Sequence, residues 1–140
     1  GGSIMIGIVC ENMASIDVDE FCKNNVTIFS NSRSESDNPN MSLYSKYMAY
    51  DFEGVLMSAT LQDAIATLEN SICGKKVFWV CSIDWHKYSS LLYSDIIKVF
   101  FNKDVKIVAR TKEIYDVLEA FVRKPDGIME SINADKILEI

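Results

Sequence analysis

The sequence predicts a doubly wound α/β sandwich, Rossmann-like, with three layers built around a mainly parallel sheet of five to six strands. Three observations carry that prediction. Short, continuous apolar runs recur along the chain, as expected of strands covered on both faces. Segments with apolar residues at helical spacing separate them. Capping residues and glycines mark the boundaries. Such alternation implies parallel pairing through right-handed crossovers.

The opening "GGS" reads as an expression scar, leaving Ile4 to Ile140 as a single domain. "IMIGIVC" (Ile4 to Cys10) is the first strand. "DVDEFCKNN" follows as a helix, with Asp17 as candidate N-cap and Glu20 at capping-box spacing. "VTIFSN" (Val26 to Asn31) is the second strand, and "SRSESDNPN", broken by Pro39, is a loop. "MSLYSKYMAYDF" predicts a helix carrying Leu43, Tyr47 and Tyr50 on one face. "GVLMSA" (Gly54 to Ala59) is the third strand. Thr60 then caps a helix, "LQDAIATLENSI", whose Leu61, Ile65, Leu68 and Ile72 share a face and which Gly74 ends. "VFWVCSI" and "VKIVAR" are the fourth and fifth strands, each followed by a helix, "KYSSLLYSDIIKVFF" and "KEIYDVLEAFV". A short strand around "GIM" and a helix "NADKILEI", opened by Asn133, close the chain.

Composition narrows the function classes. With 49% hydrophobic and 24% charged residues the chain is an ordinary globular domain. Its net charge of −6, from 14 basic and 20 acidic residues, argues against nucleic-acid binding, which needs a basic face. No apolar run approaches the roughly 20 residues of a membrane span. Cys10, Cys22, Cys73 and Cys81 show no CxxC pair and no histidine at zinc-ligand spacing. No metal site is therefore predicted, and the thiols read as reduced and mostly buried in a cytoplasmic protein.

In an open parallel sheet, ligands bind beyond the carboxyl ends of the strands. That rim would collect Glu11 and Asn12, then Asn31, Ser32 and Arg33, then Ser58 and Thr60. Asp84, Trp85 and His86 would follow the fourth strand, Arg110 and Thr111 the fifth, and Glu130 the last. Asp84 and His86, the chain's one histidine, suit an acid/base or orienting pair. Equally, Asp84 suits a helix cap with Trp85 packed on the sheet edge. Arg110, just before a helix N-terminus, suits a phosphate or carboxylate, or is a surface arginine beside an N-cap threonine. Tyr44, Tyr47, Tyr50 and Phe52 suit either a stacking pocket or the core. Arg123 and Lys124 match the dipole at the end of their own helix.

The turn after the first strand, "CENMAS", holds no glycine, which argues against NAD or FAD. Walker, nucleophile-elbow and H-E-x-x-H motifs are absent too, as are the paired acids of receiver domains, so no cofactor is predicted.

"FWVCSIDW", "YDFEGVLMSATLQDAI" and "ARTKEIYDVLEAFVRKPDGIMESINADKILEI" together resemble the amino-terminal half of glycosyltransferase-like proteins of the two-domain GT-B architecture, a pattern associated with large tailed phages. The resemblance covers Ile4 to Ile140. It implies a Rossmann-like domain that serves a sugar acceptor, with the nucleotide-sugar donor held mostly by a second domain, in a host cytoplasm. It carries over Asp84, Trp85 and Arg110 as site candidates. No second domain and no glycine-rich turn stand within this sequence. Two functions are therefore expected: a non-catalytic binding or assembly protein, as a homo-oligomer or with a protein partner, or a transferase-like enzyme completed by oligomerisation or a partner chain. Whether it is an enzyme is open on the sequence.

Overall fold

The computed structural model describes residues 5–10, 18–23, 26–30, 43–44, 46–82 and 93–140. Through them the chain runs β1 (Ile6–Val9), α1 (Val18–Lys23), β2 (Val26–Phe29), β3 (Leu43–Tyr44), a 3₁₀ helix (Lys46–Asp51), β4 (Val55–Ser58), α2 (Leu61–Thr67), β5 (Lys75–Val80), α3 (Tyr93–Phe100), β6 (Val105–Ala109), α4 (Lys112–Phe121), β7 (Gly127–Ile128) and α5 (Ala134–Glu139). The strands form one sheet in the order β3-β2-β1-β4-β5-β6-β7. Every pairing is parallel. The fold is the expected Rossmann-like α/β sandwich.

The apolar runs behave as runs buried on both faces should. All four residues of β1, β2 and β4 are buried. Alternate side chains serve different cores. Ile6, Ile8, Val55, Met57, Val77, Trp79 and Val108 pack with Phe21 of α1 and Ile137 of α5 on one face. Phe78, Val80 and Ile107 pack with Leu61 of α2, Phe100 of α3 and Leu118 of α4 on the other. Next to that second cluster, Val9, Phe29 and Leu56 meet Ala49 of the 3₁₀ helix and Phe52 just after it. Close approach decides one glycine: a Cβ on Gly54 would overlap the Met5 carbonyl, which accepts the Val55 N–H at 2.8 Å.

Several expectations are corrected. Within the stretch read as a helix from Met41 to Phe52, the described residues instead form β3 and then the 3₁₀ helix. Leu43 and Tyr44 pair with Ile28 and Phe29, because the open edge of β2 offers unpaired backbone groups that a weak helix former can join. With this two-residue edge strand the sheet counts seven strands.

Helix α2 stops at Thr67, well before Ile72. The Thr67 hydroxyl donates back to the Ala64 carbonyl at 2.6 Å, a bond that competes with helix continuation. The fully buried Asn70 then takes over. Its amide donates to the carbonyls of Ala49 (2.7 Å) and Phe52 (2.9 Å) and accepts the N–H groups of Ile72 and Cys73, both at 2.8 Å. Ile72 is turned out to solvent. Gly74 lies beyond this turn and does not cap the helix; its N–H donates to Glu53 and Gly54.

Arg123 serves a different helix from its own. Its Nη1 donates to the Phe100 carbonyl at the end of α3 (2.8 Å) and to those of Asn102 and Val105. Its Nη2 pairs with Asp126 at 3.1 Å, and Asp126 also accepts the Ile107 N–H. The "RKPDGI" stretch is thus a clamp joining α3, β6 and the entry to β7. Asp17 and Pro39 lie outside the described residues, as does the predicted start of the helix that becomes α3.

Candidate functional site

A parallel sheet gathers all strand carboxyl ends on one edge, and the strand order here reverses between β1 and β4. In such folds that reversal is where ligands are received. Cys10 leaves β1 buried, its N–H donating to the Phe29 carbonyl at 3.0 Å. Ser58 ends β4, also buried.

Thr60 and Thr111 are N-caps. The Thr60 Oγ1 accepts the Asp63 N–H at 3.2 Å, the N-cap bond, and donates to Asp63 Oδ2 at 2.8 Å. The Thr111 Oγ1 accepts the Ile114 N–H at 3.2 Å. Both threonines are ordered by the helices they open, so their first task is structural.

Arg110 is an exposed cation at this rim. Its N–H donates to the Val80 carbonyl at 3.0 Å, extending the β5–β6 ladder by one step. Its guanidinium carbon lies 5.2 Å from the centre of the Trp79 ring, within cation–π range. Alternation along β5 puts Cys81 on the same face as Trp79. Burial pushes the half-buried Cys81 thiol above the usual cysteine range, and the charge of Arg110 and its hydrogen bond offset part of that. Trp79 is held in turn: it is buried, its Nε1 donates to the Met129 carbonyl at 2.7 Å, and Phe21 meets its ring edge-on at 6.3 Å.

The rim candidates are therefore divided. Arg110 meets Trp79 and Cys81 on the α1/α5 face, whereas Thr60 and Thr111 open helices on the opposite face. Glu130 is exposed just past β7. Glu11, Asn12, Asn31, Ser32, Arg33, Asp84, Trp85 and His86 lie outside the described residues. So the Asp84–His86 pair takes no part in the described geometry. Of the aromatic set, Phe52 is core, stacked edge-on against Phe29 at 5.2 Å, and Tyr50 is exposed.

Sequence reasoning missed Trp79 and Cys81. The signal was present: in "FWVC" the two residues alternate with Phe78 and Val80 and so share a face, two positions apart. What brings Arg110 to them is the register pairing Val80 with Ala109. A cleft of about 240 Å³, lined by Ser71, Cys73, Gly74, Lys75, Lys76 and Asp104, opens at the opposite, amino edge of the sheet. One of its bases is already engaged, since Lys75 Nζ donates to the Leu138 and Ile140 carbonyls at the end of α5.

Among the described residues, no three His, Cys, Asp or Glu side chains converge as a metal site would require, and no helix is long and apolar enough to cross a membrane. The fold and rim define a Rossmann-like α/β sandwich with a cation–aromatic pair at the carboxyl edge. No protein-family model, curated protein or solved structure matches the chain.

Proposed function

We propose that this chain is a non-catalytic binding or assembly module of a cytoplasmic protein, working through contact with another protein surface. One observation carries it: large apolar side chains stand open to solvent at the carboxyl ends of the outer helices, with Phe121 of α4 83% exposed and Phe101, just past α3, 57% exposed. Aromatic residues at such exposure are characteristic of contact sites. The described hydroxyls of the rim support the same view, since Thr60 and Thr111 act as caps.

A second reading has its own observation. Arg110 on its Trp79 platform is a preordered cation at the edge where nucleotides and sugars are received in this fold. It favours a glycosyltransferase-like role, with a nucleotide sugar or sugar acceptor as ligand and a partner chain or second copy completing the site. That agrees with the resemblance carried by "FWVCSIDW" and "RKPDGI", although the second of these is also accounted for by the Arg123–Asp126 clamp.

The test is incubation with a panel of UDP-, GDP- and CMP-sugars. Donor cleavage is followed by phosphorus NMR and binding by thermal shift. The non-catalytic reading expects no turnover. Donor cleavage that disappears in Arg110→Met would overturn it in favour of the transferase.

A further inference from the structure

The exposed apolar residues of α4 share one side of that helix. Taking Val117 as reference, Glu113 and Phe121 lie one turn away on either side, and Ala120 lies beside them, following the i, i+4, i+7, i+8 spacing of a contact stripe. All four are solvent-exposed. Leu118 is the one residue of this ten-residue helix that is fully buried, with Ile114 and Tyr115 half-buried beside it. The helix therefore uses a narrow strip on the sheet and leaves a second apolar strip unpartnered.

The charges at the ends of that strip are opposite. Glu113 stands at its amino end. Lys124 stands just past its carboxyl end, exposed. Of the other charged groups along α4, Lys112 and Asp116 pair with each other at 2.6 Å, and Glu119 lies toward another side. Arg123 is turned away into the clamp on α3. A strip that is acidic at one end, apolar in the middle and basic at the other is complementary to itself when reversed. Two such helices related by a two-fold axis would set Val117 against the partner's Phe121 and Glu113 beside the partner's Lys124, which is the geometry of an isologous contact.

From this we infer that α4 is the contact helix of a homodimer, packed antiparallel on the α4 of a second copy. The inference rests on the binding or assembly reading above and names the partner within it. The nine residues from Glu113 to Phe121 span about 12 Å, so the contact falls below the size of standard stable interfaces and belongs to the weak, reversible class, for which micromolar association is expected. The end charges stay near solvent, so added salt should weaken it.

Sedimentation velocity over about 5 to 200 μM tests the contact; that window brackets micromolar association. The expected result is a monomer–dimer equilibrium that Phe121→Asp weakens by about tenfold or more. The far-UV dichroism melt of this variant should be unchanged, because Phe121 is exposed. Glu113→Lys and Lys124→Glu should each weaken the dimer, and the two together should restore it. A purely structural role for either charge would not give that restoration. A wild type that is monomeric at 200 μM overturns the inference. A dimer indifferent to Phe121→Asp also overturns it, while leaving the assembly reading intact. Donor turnover in the nucleotide-sugar assay would instead strike the non-catalytic reading and leave the α4 contact to be judged by sedimentation alone.

Discussion

The indole Nε1 of Trp79 donates a 2.7 Å hydrogen bond to the backbone carbonyl of Met129, tying the carboxyl end of β5 to the chain leaving β7. The same ring carries Arg110 on its face. One buried side chain thus positions both the last strand and an exposed cation of the carboxyl rim. Trp79→Phe keeps an aromatic ring but leaves the Met129 carbonyl without this donor and reduces the packed volume. We expect a loss of about 2–4 kcal/mol in urea unfolding followed by far-UV dichroism. A loss within about 0.5 kcal/mol, the range of an ordinary surface change, would show that the bond does not organise this edge.

Asn70 holds the turn that replaces the end of α2. Two of its bonds are donated to carbonyls and two are accepted from N–H groups, so only an amide fits both sides. Asn70→Asp keeps the shape but turns a charged oxygen toward the Ala49 and Phe52 carbonyls. The cost should be about 2–4 kcal/mol at neutral pH. The sign of its pH dependence follows from burial, which raises the pKa of the new carboxyl. The folded state then prefers the protonated form, which can donate one bond. The melting-temperature deficit should therefore shrink as pH falls from 7 toward 4. A deficit that grows with acid, relative to wild type, would contradict the assignment.

Gly54→Ala tests a contact between two backbones. The new Cβ would overlap the Met5 carbonyl and displace it from the Val55 N–H. Backbone cannot step aside as a flexible side chain can. A loss of about 2 kcal/mol or more is expected in thermal melts. A neutral effect would mean that the strand entering β1 runs farther from β4.

Cys81 reports on Arg110. Its thiol is held above the usual range mainly by burial, with the nearby guanidinium pulling it back. In Arg110→Met the thiol should titrate higher still. The midpoint of its alkylation rate against pH, read on the Cys81 peptide by mass spectrometry, should move upward. The linkage runs the same way. A thiol whose folded pKa is raised contributes stability that is whole below the ordinary cysteine value of 9.0 and is lost as pH rises through the folded one. An unmoved or lowered midpoint would place the guanidinium away from the sulfur.

Much of the architecture is local and so was legible in the chain. "IGIV", "VTIF" and "VLMS" are apolar without alternation because both faces of a central strand are covered, and each is a buried strand. Thr60, Thr111 and Asn133 precede helical periodicity and each caps the helix expected of it. These follow from hydrogen-bonding groups three residues apart, which sequence displays directly. The edge was less legible. Leu43 and Tyr44 are drawn into the sheet by an unpaired neighbour more than a dozen positions earlier, and nothing in their own spacing says so.

For the candidate site the division is sharper. The residues around Arg110 and Thr111 announced a strand end and a helix start, and a cation at a strand's carboxyl end follows from order alone. That Arg110 lies on Trp79 and beside Cys81 depends on the β5–β6 register, a relation between segments some thirty residues apart. Sequence alone determined the alternation, the caps and the sign of the net charge, all set by neighbours along the chain. Tertiary structure decided the strand order, the early end of α2 at Thr67 with the Asn70 turn after it, the helix that Arg123 serves and the exposed strip on α4. Each of these depends on which distant groups remain to be paired or covered once the sheet has formed.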